Sequence, residues 1–296
     1  MGARFLEIIM ELKKPTTYSE QIELLIKKGV ITDDPNVSVK FLSNVNYYFF
    51  SGYLLPFIDR ETDKCLLPIT FERLRNIYEF DAQLRNLIAL AIEQIEVYLR
   101  NKISYYFAHN YGAEGYMDSC SYGENHDHEK LLSTIDSCKN SYRKTKIFKH
   151  HIEKYEGHFP VWVIIEFLPL GSLSYMFGDM KSADKKNIAV TDFGVNYKTL
   201  ESWLRCLTDL RNKCAHCSRL YYWIFSAIPK KVKGDEFTPN RRLFSQIYML
   251  KQMYPNKELW NEMFFDKMLQ LVDHYKDDIN LNHIGFPENW IELLRV

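Results

Sequence analysis

Residues 199–222 read TLESWLRCLTDLRNKCAHCSRLYY and hold the most informative pattern in the chain. The stretch has no Gly or Pro, and its apolar residues recur at helical spacing, so it predicts an amphipathic helix from Leu200 to Tyr222. Each helical residue advances about 100°, which brings one set of apolar side chains onto a single stripe. That stripe consists of Leu200, Leu204, Leu207 and Cys214, flanked by Trp203 and Leu210.

A second face of this predicted helix is basic and polar. Arg205, Asn212, His216 and Arg219 fall within about 60° of one another on the helical wheel, and such a stripe suits a phosphate ligand. Arg211 is the exception, because its wheel position faces the apolar stripe. A guanidinium there needs a carboxylate partner, since an unpaired buried charge is costly, and its replacement by Ala is expected to cost about 3 kcal/mol.

The longest regular segment supplies the expected partner for that guanidinium. From Phe71 to about Ala108 apolar residues recur at spacings of three, four or seven, which predicts one helix of about 55–60 Å. Glu96 lies among apolar residues of this segment and is the first choice; Glu93 and Glu166 are the alternatives. Glu96 also precedes Arg100 by four residues, so an ordinary surface pair along one helix is the competing interpretation.

The composition is that of a globular chain able to bury a sizeable core, with 46% hydrophobic and 26% charged residues. Its six Cys show no paired framework of a secreted domain, so a reducing cytoplasm is expected. The first 15 residues carry acids and lack the features of a signal peptide. No apolar stretch is long enough to cross a bilayer, so no membrane association is expected.

A formal net charge of zero means that any nucleic acid must be held by a local basic patch. The strongest basic cluster is residues 139–154, and from it we select Lys144, Lys146 and Lys149 as candidate contacts to a phosphate backbone. A plain solvated helix face explains this cluster equally well.

Metal binding finds little support in the sequence. Cys214, His216 and Cys217 are close together, but consecutive helix positions splay apart and a fourth ligand is missing. His126 and His128 stand in a polar, Gly-containing stretch with no third ligand at a motif spacing, which favours a solvated loop. We therefore predict no metal and no cofactor.

The hexapeptide RNKCAH at residues 211–216 resembles the R-x4-H signature of HEPN ribonucleases, in which a polar residue, often Asn, follows the Arg. With its flanks it is similar to the abortive-infection (Abi-like, Abi D/F type) family of bacterial phage-resistance proteins. Residues 47–53, 162–174 and 285–290 resemble further stretches of that family, the last as Gly-Phe-Pro-x-x-Trp. The chain departs from the family at Cys217, where a second His is usual, and at Tyr222, where an Asn is usual.

This resemblance implies a metal-independent endoribonuclease that acts in antiphage defence or as a host-arresting toxin in the bacterial cytoplasm. It implies Arg211, Asn212 and His216 as catalytic residues and a two-fold homodimer that joins two signatures in one cleft. The polar stripe adds Arg205 and Arg219 as candidate substrate contacts. The RNA would be cut by attack of its own 2′-OH, for which His transfers protons and Arg holds the charged phosphate. The alternative is a non-catalytic RNA-binding or regulatory HEPN module controlled by a partner RNA or protein; a structural helical scaffold is a third.

The fold class predicted on these grounds is all-α, a HEPN-like helical bundle with N- and C-terminal helical additions. The predicted organisation is an N-terminal helical lobe at residues 1–69, a core with the R-N-x3-H motif at 70–225, and a C-terminal helical extension at 226–296. A single compact domain is the alternative. We find no alternating pattern long enough for a sheet.

Overall fold

The structure is a computed structural model that describes residue 12 and residues 14–296. Residues 1–11 and 13, which the signal-peptide prediction concerns, lie outside the described part. Helices dominate the described residues, whose strands are two short ones, β1 (Val30–Ile31) and β2 (Ile69–Thr70), paired in parallel. The predicted all-α class is confirmed.

The chain divides into two compact units, Met1–Tyr78 and Glu79–Val296. This boundary falls inside the longest helix, α4 (Phe71–Tyr111), and the predicted boundaries at residues 69 and 225 stay predictions. The predicted long helix itself is confirmed and runs three residues beyond Ala108.

The described residues of the first unit form three short helices before α4 begins, each with a clear start. They are α1 (Tyr18–Lys27), α2 (Pro35–Leu42) and α3 (Tyr47–Ser51), the last followed by a 3₁₀ turn at Gly52–Leu54. Thr17 and Glu20 form a reciprocal capping box at α1. The aromatic string at residues 47–53 buries Phe50 and Tyr53, and both rings pack against Tyr78. Aromatic packing therefore accounts for part of that string.

The second unit contains the remaining helices. They are α5 (His128–Tyr142), α6 (Lys146–Lys154), α7 (Val161–Ile164), α8 (Leu170–Asp179), α9 (Ser182–Phe193), α10 (Tyr197–Ala215), α11 (Leu243–Met253), α12 (Lys257–Trp260), α13 (Asp266–His274) and α14 (Trp290–Leu294). A π-helical turn, Asn261–Phe265, joins α12 to α13. Short 3₁₀ turns lie at Gly115–Met117, Ser119–Ser121, Ile165–Phe167 and Leu281–Ile284.

The core of the second unit is built on α4 and α10. The predicted apolar positions of α4 are buried, and α10 packs against α8, α9 and α11. The buried α4 positions in this unit are Leu84, Ile88, Ala91, Ile95, Leu99 and Ile103. The helix with the signature is thus held on several sides, which fixes the position of its exposed residues.

The Gly-Phe-Pro-x-x-Trp stretch near the C-terminus has a packing role. Phe286 and Trp290 are buried with ring centroids 5.4 Å apart, and Phe286 lies 4.8 Å from Phe244 of α11. Gly285 has φ +82°, and a Cβ on it would come within 2.3 Å of the Cβ of Arg242. Both the backbone conformation and the close approach therefore require glycine here.

Candidate functional site

Helix α10 presents its predicted apolar stripe to the core. Leu200, Leu204, Leu207 and Leu210 are fully buried. The indole Nε1 of Trp203 also points inward and donates to the Lys230 carbonyl at 2.9 Å. The leucine part of the predicted stripe is confirmed, whereas Cys214 is only partly buried. Burial of the leucines leaves the opposite face of α10 for other contacts.

The end of the signature helix differs from the prediction. Helix α10 ends at Ala215 with His216 as its C-cap, seven residues before the expected end at Tyr222. The chain turns at Cys217, whose φ is +52°. The prediction of one helix through Tyr222 is wrong, and with it the place of Arg219 on the polar stripe.

A Schellman motif produces this ending. The Ser218 amide donates to the Lys213 carbonyl at 2.9 Å, and the Cys217 amide donates to the Cys214 carbonyl at 3.2 Å. The left-handed position of this motif, usually Gly, is occupied here by Cys217. The same hydrogen bonds hold His216 at the very end of the helix, where its side chain is exposed.

Helix α10 has grooves on different sides; Arg211 lines one, Arg205 and Asn212 line another, and His216 lines neither. Arg211, Asn212 and His216 are all exposed around its last turn. Arg211 lines a groove of about 360 Å³, here called the Arg211 groove. Its lining is Ala89, Ile92, Glu93, Glu96, Val97, Arg100, Glu166, Arg211, Cys214 and Ala215.

Arg205 and Asn212 meet in a second groove of about 520 Å³, here called the Asn212 groove. The other residues that line it come from α8 and α10: Gly171, Ser174, Tyr175, Gly178, Asp179, Glu201, Thr208 and Asp209. The structure therefore brings Arg205 together with Asn212, as the wheel predicts, but it places Arg211 on another side of the helix.

Arg211 is not buried against the apolar stripe. Its side chain is 46% exposed, and its Nε lies 4.0 Å from Glu96 Oε2. The close partner of Glu96 is Arg100, which is 8% exposed and donates from Nη2 to Glu96 Oε1. Of the three carboxylates considered for Arg211, Glu96 is thus within ion-pair distance, and Glu93 and Glu166 line the same groove.

Arg100 is the buried guanidinium of this site. Besides Glu96 it binds two backbone carbonyls of the segment between α7 and α8: Nη1 donates to Ile165, and Nη2 donates to Leu168 at 2.8 Å. The competing interpretation of an ordinary surface pair is wrong, because Arg100 is almost fully enclosed. Arg100 therefore fixes the carboxylate that Arg211 faces.

A buried acid of α4 anchors the chain that follows the signature. Asp81 is fully buried; its Oδ2 accepts from Arg85 Nη1 at 2.5 Å and from the Leu220 amide at 3.0 Å. Its Oδ1 accepts from the Tyr221 amide at 2.9 Å. This buried group was not predicted from the sequence. The sequence pattern that could have indicated it is an acid and an Arg four residues apart among apolar positions. Glu96 and Arg100 show the same pattern.

The remaining candidate contacts lie away from α10. Arg219 follows the turn and donates from Nη1 to the Tyr221 carbonyl at 2.8 Å. Lys144 is in the turn between α5 and α6, while Lys146 and Lys149 are exposed on α6. A role for these lysines in binding RNA stays a prediction.

His126 is not in a solvated loop. Its side chain is 3% exposed, its ring stacks on Tyr122 at 3.8 Å, and its Nδ1 lies 2.9 Å from Asp179 Oδ2. Its Nε2 lies 3.1 Å from His128 Nδ1. The loop interpretation fails because the stretch packs against α8, and this hydrogen-bonded chain tethers the end of α8.

The cysteine of the signature is a poor reactive group. Burial raises the pKa of Cys214 to about 12, so its thiol stays protonated at neutral pH and makes a weak metal ligand or nucleophile. Among the described residues, no three His, Cys, Asp or Glu side chains form a cluster suited to a metal ion.

The comparisons with known proteins bear on the central part of the chain. Neither the curated proteins nor the solved structures include a significant match. In the described part of the chain, no helix combines the length and the apolarity that a membrane crossing requires. The family model of Abi-like proteins matches residues 40–222, more than half of the chain and a range that includes α10 and the turn after it, and the chain therefore belongs to the Abi-like protein family.

Proposed function

We propose that this protein is a metal-independent endoribonuclease of the HEPN type, used in abortive infection against phage or as a host-arresting toxin. Membership of the Abi-like family supports abortive infection at the level of the family. The observation that carries the ribonuclease proposal is the exposed trio of Arg211, Asn212 and His216 around the last turn of α10. Exposure of all three at the end of a helix whose other face is buried favours a ligand over packing.

The proposed reaction uses these groups in separate roles. The 2′-oxygen of the RNA loses its proton and bonds to the adjacent phosphorus, while the bond to the 5′-oxygen breaks and that oxygen takes up a proton. His216 serves the proton transfers, since an imidazole can both accept and donate a proton. Arg211 stabilises the charged phosphorane, and Asn212 orients the phosphate or the imidazole. The products are a 2′,3′-cyclic phosphate and a 5′-hydroxyl.

A base and an acid are both needed, and the proposed trio has one His, so we propose that two copies of the chain form the site. The Arg211 groove offers a self-complementary face for this. It combines the exposed Arg211 with the acids Glu93 and Glu166, and Val97 and Leu90 of α4 are exposed beside them. A two-fold axis beside this groove would cover the two apolar side chains and bring the signatures of both copies to one cleft.

The test is incubation of purified protein with end-labelled RNA in excess chelator, followed by identification of the new termini. We expect cleavage with cyclic phosphate and 5′-hydroxyl ends, and its loss in His216→Ala with unchanged melting. His274→Ala is the matched control, because His274 is also exposed at the end of a helix, α13. Strict dependence on added divalent metal, or full cleavage by folded His216→Ala, would refute the proposal. RNA binding without cleavage by the wild type would favour the non-catalytic HEPN module instead.

A further inference from the structure

A third groove, of about 570 Å³, adjoins α10 and is here called the lysine groove. Its lining includes four exposed cations. Lys198 and Arg205 come from α10, and Lys230 and Lys231 come from the connection between α10 and α11. In the sequence Lys230 and Lys231 belong to a charged loop, and Lys198 is more than 30 residues away from them. The fold places them in one groove.

The acid in this groove does little to offset the cations. Glu201 Oε1 lies 2.7 Å from the Nζ of Lys185, a residue of α9 that also donates to the Gly178 carbonyl at 2.6 Å. The charge of Glu201 is therefore balanced by a lysine from outside the groove lining. The groove keeps the net positive charge of its four cations, and this attracts a polyanion.

The connection that carries Lys230 and Lys231 is held in place. The Lys230 amide donates to Ser202 Oγ at 3.1 Å, and the Lys230 carbonyl accepts from the Trp203 indole at 2.9 Å. Lys231 Nζ donates to Thr238 Oγ1 at 3.0 Å. These contacts tie the backbone at Lys230 to α10 and hold the Lys231 ammonium before any ligand binds, which lowers the entropic cost of binding.

The lysine groove continues into the Asn212 groove. Arg205 lines both, and the face of α10 from Lys198 to Asn212 rises about 21 Å. Tyr175, which is 66% exposed, lines the Asn212 groove, and Lys130 Nζ lies 4.5 Å over its ring. Asp179 and Asp209 also line the Asn212 groove; Asp179 lies 2.9 Å from His126 Nδ1 and Asp209 lies 3.7 Å from Lys213 Nζ. The cations of the lysine groove together with an exposed aromatic ring are the combination with which proteins bind single-stranded nucleic acid.

From this arrangement we propose that the lysine groove binds the phosphates of single-stranded RNA and that Arg205 leads the strand along α10 to Asn212. The proposal rests on the proposed function for the choice of RNA as the polyanion. It adds Lys198, Lys230 and Lys231 as binding residues, in place of a track on α6.

The test measures binding without cleavage. The probe is a fluorescent 2′-O-methyl RNA of about 12 nucleotides, which matches the usual length of single-strand sites and lacks the attacking hydroxyl. For the triple variant Lys198→Gln, Lys230→Gln, Lys231→Gln we expect at least about tenfold weaker binding at 0.1 M salt. The dependence of log K on log salt should fall by about 2, because three phosphate contacts are lost.

The matched control removes the same charge from the first unit, in the triple variant Lys27→Gln, Lys40→Gln, Lys64→Gln, whose three lysines are exposed. A loss for the groove variant at least fivefold greater than for this control supports the proposal, and a smaller difference overturns it. Melting curves of both variants confirm that they are folded.

A third variant compares the two tracks directly. If Lys144→Gln, Lys146→Gln, Lys149→Gln loses more affinity than the groove variant, the lysine groove is not the main binding site and the proposal fails. Failure of the proposed function gives a different result: a wild type that binds RNA through the groove but cuts no natural RNA keeps this inference and refutes the ribonuclease. A wild type that cuts RNA but whose binding does not depend on the lysine groove keeps the proposed ribonuclease and refutes this inference.

Discussion

Arg211 and Arg100 both approach Glu96, but their environments differ. Arg100 is enclosed and binds Glu96 and two backbone carbonyls, whereas Arg211 is half exposed and 4.0 Å from the carboxylate. We predict that Arg100→Ala lowers the free energy of unfolding by about 3 kcal/mol, because Glu96 and the two carbonyls lose their donor. Arg211→Ala should cost less than about 1 kcal/mol, as is typical of exposed pairs. Urea denaturation of both variants measures the difference.

The large cost that the sequence analysis assigned to Arg211 therefore belongs to Arg100. Arg211 should instead matter for cleavage: Arg211→Lys keeps the charge but loses the planar fork, and we expect a strong loss of activity at unchanged stability. Equal destabilisation by Arg211→Ala and Arg100→Ala would contradict this division of roles.

Cys217 has the left-handed conformation that ends α10, and a side chain other than Gly or Asn is strained there. We predict that Cys217→Asn raises the free energy of unfolding by about 0.5–1 kcal/mol, because Asn tolerates positive φ. Cleavage should be unchanged, since the hydrogen bonds that hold His216 are between backbone groups. Cys120→Asn is the control, an exposed Cys without positive φ. A destabilised Cys217→Asn variant would show that the Cys side chain itself stabilises the turn.

At the scale of the elements, periodicity predicted α4 and the apolar face of α10, because buried stripes at helical spacing depend on the residues of one segment. The end of α10 escaped prediction, since nothing in Cys217 or Ser218 signals a Schellman turn when Gly is absent. The exposure of Arg211 was not predicted, because a helical wheel does not show how far the neighbouring helix α4 covers that side of α10.

Helix α4 and the turn after α10 depend on each other through Asp81. We predict that Asp81→Asn lowers the free energy of unfolding by about 3 kcal/mol. The buried Arg85 loses its contact with a carboxylate, and the single carbonyl oxygen of Asn cannot replace both carboxylate oxygens as acceptors. Cleavage should fall as well, since Leu220 and Tyr221 follow the signature closely. Thermal and urea unfolding measure the first effect.

The control for this variant is Asp273→Asn, a change of the same chemistry at a side chain that is 74% exposed. It should leave stability within about 0.5 kcal/mol of the wild type. If Asp81→Asn behaves like this control, Asp81 does not anchor the turn.

At the scale of the whole molecule, the grooves could not be predicted from the sequence. Lys198, Lys230 and Lys231 share one groove only through the path of the connection after α10, and Asp179 meets His126 only because α8 packs beside that stretch. Contacts between distant segments need the fold, whereas the class of the fold and the exposure of Asn212 and His216 follow from local pattern.

The proposed dimer gives the last prediction. Val97 is 59% exposed on α4 and lines the Arg211 groove, so the second copy is expected to cover it. We predict that Val97→Lys shifts the protein from dimer to monomer in light scattering and abolishes cleavage at the same concentration. A buried ammonium in the interface is costly, and the free monomer should keep its stability because Lys is a good helix former.

Val190→Lys is the matched control, because Val190 is 55% exposed on α9, away from that groove. It should remain dimeric and active. If Val97→Lys stays dimeric while Val190→Lys dissociates, the interface lies on the face of α9 instead. A wild type that is monomeric and fully active at assay concentration would remove the composite site, and a single His216 would then have to take both proton-transfer roles in turn.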